Sequence, residues 1–134
     1  MRRTPTTLHP QLSRVLSETG HVDEIVVSDA GLPLPREVER VDLAYRAGEP
    51  PLLSVLDTVL AELAVEGAIM AEEVVAKSPE IHGEIRRRLE SLGVDVQLVP
   101  HSELKERTHG ARAIVRTGEF TSYSSVILIA GVTY

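Results

Sequence analysis

Short β-branched runs alternate with stretches of helical apolar spacing along almost the whole chain, and this alternation restricts the fold more than any other feature. Leu12, Val15 and Leu16 follow Pro10 at helical intervals and Gly20 supplies a stop, which predicts a helix over residues 10–19. Residues 24–28, Glu-Ile-Val-Val-Ser, are short and β-branched and predict a buried strand. Residues 38–43 alternate apolar and charged side chains, as a strand exposed on one side does. Behind Pro50 and Pro51, apolar positions at i, i+3 and i+4 predict a helix over 52–63. Further strands are predicted at 67–71, 94–99, 113–116 and 126–129. Further helices are predicted at 79–92, with Pro79 in the first turn and Gly93 just beyond the end, and at 102–108, stopped by Gly110. The expected fold class is α/β, a three-layer α/β/α arrangement around a mostly parallel central sheet, which becomes mixed if strands near the chain ends reverse direction.

The 134 residues are expected to form one domain, 1–134, with a core of Val, Leu, Ile and Ala, since there is no Trp, one Phe and three Tyr. Cysteine is absent, which excludes disulfides, thiolate metal sites and a cysteine nucleophile. The basic start Met1-Arg2-Arg3 is followed by no apolar run of signal-peptide length, and no stretch approaches the roughly 20 apolar residues of a membrane span, so a cytosolic protein without a membrane partner is expected. The net charge of −6 argues against nucleic acid, which calls for a clustered basic face. The one basic run, Arg86-Arg87-Arg88, lies between Glu84 and Glu90 and reads as a solvated helix face.

Several chemistries drop out. No glycine-rich phosphate or dinucleotide loop is present, and no Gly-x-Ser-x-Gly elbow. The five histidines, at 9, 21, 82, 101 and 109, form no ligand pair at metal-binding spacing, so neither a metal nor another cofactor is expected. His9 falls in an N-terminal arm expected to be mobile, and His82 and His109 sit among charged residues and read as solvated. His21 follows a helix-ending Gly and precedes a strand; by position alone it reads equally as a charged histidine at a helix C-terminus. His101 closes a strand and opens a helix, with Lys105 four residues on and so on the same helix face. Asp29 also ends a strand, where it serves as a turn former or as a ligand group. Open α/β sheets bind ligands at the carboxyl ends of their strands. The residues themselves therefore offer His21, Asp29, His101 and Lys105 as polar groups for a hydroxyl-rich ligand.

The segment Gly-His-Val-Asp-Glu-Ile-Val-Val-Ser-Asp-Ala-Gly-Leu-Pro-Leu-Pro, residues 20–35, resembles the D-ribose pyranase family. The segments at 12–15, 38–43, 71–73, 99–101, 116–119 and 123–128 match it in order, so the resemblance spans the chain. The related L-fucose mutarotases share the Gly-His-x-Asp opening, while the Gly-Leu-Pro-Leu-Pro tail is similar to the ribose branch. The resemblance implies interconversion of the β-pyranose and β-furanose forms of D-ribose, with His21 as catalytic acid/base. It implies Asp29, His101, Lys105 and Tyr123 as sugar contacts, together with the residue two beyond Tyr123. That residue is usually Asn in the family and is Ser125 here; one hydroxyl cannot make the same pair of bonds as an amide. A fucose or other sugar mutarotase, or a non-catalytic sugar-binding accessory of ribose transport, would fit the same polar set.

Opening a hemiacetal requires removal of the anomeric hydroxyl proton and delivery of a proton to the ring oxygen, which suits an imidazole and needs no cofactor. With residues 24–28 extended, His21 and Asp29 are up to roughly 26 Å apart at about 3.3 Å per residue. Either the chain curls back, or the site is shared between subunits. The resemblance implies the second, a homo-oligomer built as a decamer of two stacked pentamers, with the Tyr123 loop in an interfacial site.

Overall fold

The computed structural model describes residues 1–3 and 6–134. Twelve elements follow in order: α1 (Pro10–Glu18), β1 (Glu24–Ser28), β2 (Glu39–Asp42), α2 (Leu52–Glu62), β3 (Val65–Ala71), α3 (Val74–Lys77), α4 (Pro79–Glu90), β4 (Val96–Val99), α5 (His101–Arg107), a 3-10 turn (Thr108–Gly110), β5 (Ala113–Arg116) and β6 (Val126–Ala130). Besides the 3-10 turn, the short helix α3 is the one element that the periodicity does not predict. Four residues are too few to display a helical repeat.

The strands form one six-stranded sheet in the order β2-β5-β1-β6-β3-β4. β1 and β2 each run parallel to β5, and β3 runs parallel to β4. β6 is antiparallel to both of its neighbours, β1 and β3. The sheet is therefore mostly parallel, as expected, and the strand that makes it mixed lies in the interior rather than at an edge. Strand alternation divides the core. Ile25, Val27, Ala68, Met70, Val126 and Leu128 face α1, α2 and α4. Val26, Ile69, Ile114 and Ile127 face the other way, against Leu32 and against Leu104 of α5. Helices cover both faces, with a thinner layer on the α5 side.

Two expectations about histidines are corrected. His9 is no part of a loose arm: its Nδ1 accepts from the Leu12 N–H at 3.2 Å and caps α1 ahead of Pro10. His82 is not solvated but buried on the inner side of α4, and burial, followed by the charge of Arg86, lowers its pKa. The arginine run on the same helix does behave as a charged outer face, with Arg86 paired to Glu90 and Arg87 to Glu84. No helix among the described residues is long and apolar enough to cross a membrane.

Candidate functional site

Because β1, β3, β4 and β5 point one way and β6 the other, the carboxyl ends of the first four and the amino end of β6 meet at one edge of the sheet. A cleft of about 450 Å³ opens there, within the range of small-molecule sites. Its polar lining includes Asp29 after β1, His101 after β4, Arg116 at the end of β5, Glu119, and Tyr123 ahead of β6.

Each of these groups is held. Asp29 Oδ1 accepts from the Gly31 N–H at 3.0 Å, an Asx turn that bends the chain into the Gly-Leu-Pro segment. Asp29 Oδ2 accepts from the Ser125 hydroxyl at 2.9 Å. Asp29 is thus both turn former and cleft group. The His101 N–H donates to both carboxylate oxygens of Glu73 at 3.1 Å, so the loop after β3 fixes the start of α5. The His101 ring meets Tyr123 edge to face, with centroids 5.0 Å apart and planes at 89°. Arg116 donates from Nε to the Ala30 carbonyl at 3.1 Å and from a terminal nitrogen to Asp42, which ties the floor of the cleft to β2. Gly118 is required by space: a Cβ there would collide with the backbone of Glu49.

His21 is elsewhere. It sits in the turn before β1, so the five residues of that strand, roughly 16 Å of extended chain, separate it from Asp29. The Val22 N–H donates to the Ala130 carbonyl at 2.9 Å, placing the turn beside the carboxyl end of β6, at the opposite edge of the sheet from the cleft. Asp23 Oδ2 accepts from the Gly20 N–H at 2.8 Å and from Arg112 Nε at 2.7 Å. These bonds hold the Asp23 carboxyl below its usual pKa, the Gly20 contact most strongly. His21 itself is exposed, with Nε2 3.0 Å from Glu66 Oε2 at the start of β3.

Two residues other than glycine among those described have positive φ: Val22 at 65° and Tyr123 at 59°. A β-branched residue in this region is strained, and such strain concentrates at functional sites. One lies beside His21 and the other in the cleft.

The structure thus brings Asp29, His101, Tyr123 and Ser125 together and keeps His21 apart. Lys105, one turn beyond His101, is exposed and lies outside the cleft lining. Sequence reasoning missed Glu66, which is 45 positions from His21 and carries no local signal. The sequence likewise assigns no role to Arg116 and Glu119 of the Arg-Thr-Gly-Glu segment, which the structure places in the cleft lining.

Residues 1–133 match the family model described as the RbsD / FucU transport protein family. A curated relative from Symbiobacterium thermophilum, named D-ribose pyranase, is 48% identical over 134 residues, covering all of both chains. Among solved structures, Bacillus subtilis RbsD complexed with D-ribose superposes with a TM-score of 0.93 at 34% identity, covering 99% of this chain and 100% of that one. The fucose mutarotase of Streptococcus pneumoniae in complex with L-fucose gives 0.82 at 28%, covering 100% of each chain.

Proposed function

The chain belongs to the RbsD / FucU family, and from that premise we propose that it is a D-ribose pyranase, an isomerase that interconverts the β-pyranose and β-furanose rings of D-ribose. The observation that carries this reading is the end-to-end match in fold to a ribose-complexed structure, alongside this chain's own polar cleft at the strand ends. The weaker match to the fucose mutarotase favours ribose over fucose.

His21 is the acid/base. It takes the proton from the anomeric hydroxyl and returns one to the ring oxygen; the open aldehyde rotates and recloses through a different hydroxyl. Glu66 accepts the Nε2–H of His21, which fixes the tautomer and leaves Nδ1 free to exchange protons with the sugar. Asp29, His101 and Tyr123 hold hydroxyls in the cleft, and the family resemblance adds Lys105, outside the cleft lining of the single chain, as a further sugar contact. The reaction changes no oxidation state, and proton transfers alone complete it.

Within one chain, His21 and the cleft occupy opposite edges of the sheet, so the working site joins the cleft of one subunit to the His21 edge of the next. Such a head-to-tail contact closes into a ring, here a pentamer that stacks in pairs as a decamer. Apolar side chains stand exposed at both edges, Val22 next to His21 and Phe120 at the cleft, as unpartnered interface residues do. The cysteine-free sequence suits a cytosolic enzyme.

Saturation-transfer NMR on D-ribose tests the reading. Added protein should speed pyranose–furanose exchange, and His21→Ala should abolish the effect. Ribose binding without faster exchange would indicate a sugar-binding accessory instead, and faster exchange for L-fucose than for D-ribose would indicate a fucose mutarotase.

A further inference from the structure

Ser125 is 2% exposed, and its hydroxyl is spoken for. Oγ donates to Asp29 Oδ2 at 2.9 Å and accepts from the Asp29 N–H at 3.0 Å. A serine hydroxyl has a single proton, so its one donor is committed to the protein. Meanwhile Asp29 Oδ1 is held by the Gly31 N–H at 3.0 Å. Both carboxylate oxygens are therefore fixed, and each keeps lone pairs for hydroxyls arriving from the cleft.

We propose that Ser125 is a positioning residue for Asp29: it acts on the sugar through the carboxylate it clamps, rather than by touching the sugar itself. Its placement suits that role. Ser125 immediately precedes β6, whose Val126 pairs with Val27 of β1, so the clamp is carried by two paired strands in the middle of the sheet. A free aspartate rotates broadly about χ2, and one already oriented loses less freedom when ribose binds. An amide at this position could hold Asp29 and still present a polar atom to the sugar; the serine gives up that second contact.

The inference rests on the pyranase reading and is tested by ribose exchange kinetics with melting temperature as the folding control. Ser125→Ala should lower exchange efficiency about tenfold, the worth of one hydrogen bond to a charged group, mainly through a higher KM. Ser125→Thr, which keeps the hydroxyl, should restore most of the loss. In an Asp29→Ala background, Ser125→Ala should add less than about twofold, because the group it positions is gone. Should Ser125→Ala not fold, the near-isosteric Ser125→Cys, a weak donor, replaces it. Wild-type efficiency in the hydroxyl-free variant, or losses that multiply across the two sites, would overturn the positioning role alone. A wild-type protein that neither binds nor exchanges ribose would overturn the pyranase reading, and this proposal with it.

Discussion

His21 Nε2 lies 3.0 Å from Oε2 of Glu66, 45 positions further along the chain. The contact exists because β6 separates β1 from β3 in the sheet and the amino ends of β1 and β3 flank the carboxyl end of β6. A carboxylate there holds the imidazole from behind and leaves its other nitrogen open, the nitrogen that meets the sugar on the proposed reading. Glu66→Ala should slow ribose exchange about tenfold while leaving ribose affinity within about twofold, since the lost bond is charge-assisted and Glu66 meets His21 rather than the sugar. An unchanged exchange rate would reduce the pair to a surface contact.

Mixed subunits test the shared site. His21→Ala should be inactive as a pure protein, and Asp29→Ala strongly impaired but still measurable. In rings co-refolded from equal amounts, about a quarter of the interfaces would join an intact His21 edge to an intact cleft, by random pairing of neighbours. Exchange should recover to about that fraction of the wild-type rate. No recovery would place the whole site within one subunit.

Asp23 sets an acid limit on the turn that carries His21. Its carboxyl is held below its usual value, first by the Gly20 N–H and then by Arg112. A depressed carboxylate stabilises the fold above its unfolded pKa, about 3.9, and that contribution fades as pH falls through the lower folded value. Asp23→Asn should therefore cost under about 1 kcal/mol at neutral pH, given a side chain one-third exposed. The gap between variant and wild type should close below about pH 4 in urea melts.

His82 acts in a different window. Burial lowers its pKa, with Arg86 adding to the effect. Below about pH 6.5 the unfolded chain takes up the proton before the folded one does, so stability falls as pH drops until the folded group also titrates. His82→Gln should flatten this part of the profile. A wild-type stability curve flat between pH 7 and 5 would contradict it.

Gly118 has no room for a methyl group, because the Glu49 backbone fills the space. Gly118→Ala should destabilise by about 1–3 kcal/mol or more and disturb the neighbouring cleft residues Glu119 and Phe120. Differential scanning calorimetry and ribose titration would register both effects.

Elements whose residues carry their own instruction were legible in advance. β1 and β5 have the bounds that their β-branched runs predict, and α1 begins at the predicted Pro10. α4 stops at Glu90, two residues early, because the chain turns through Ser91 and Leu92 into Gly93, whose φ is +74°. Of the candidate site, Asp29, His101 and Tyr123 were legible as strand-end or motif residues, and the structure gathers them in one cleft. Glu66 was not legible, nor was the clamp of Ser125 on Asp29 across 96 positions. The burial of His82 also escaped, because a run of charged neighbours conceals which face of α4 turns inward.

The sequence by itself determined the alternation of strands and helices, the aliphatic core and the motif around His21, since dihedral preference and apolar period act over a few residues. Only the tertiary structure decided that β6 enters the middle of the sheet antiparallel, and with it the company each polar group keeps. Strand order follows from burying apolar faces across the whole chain, a property of no single segment. That order puts Asp29 beside Ser125 and His21 beside Glu66, at opposite edges of one sheet.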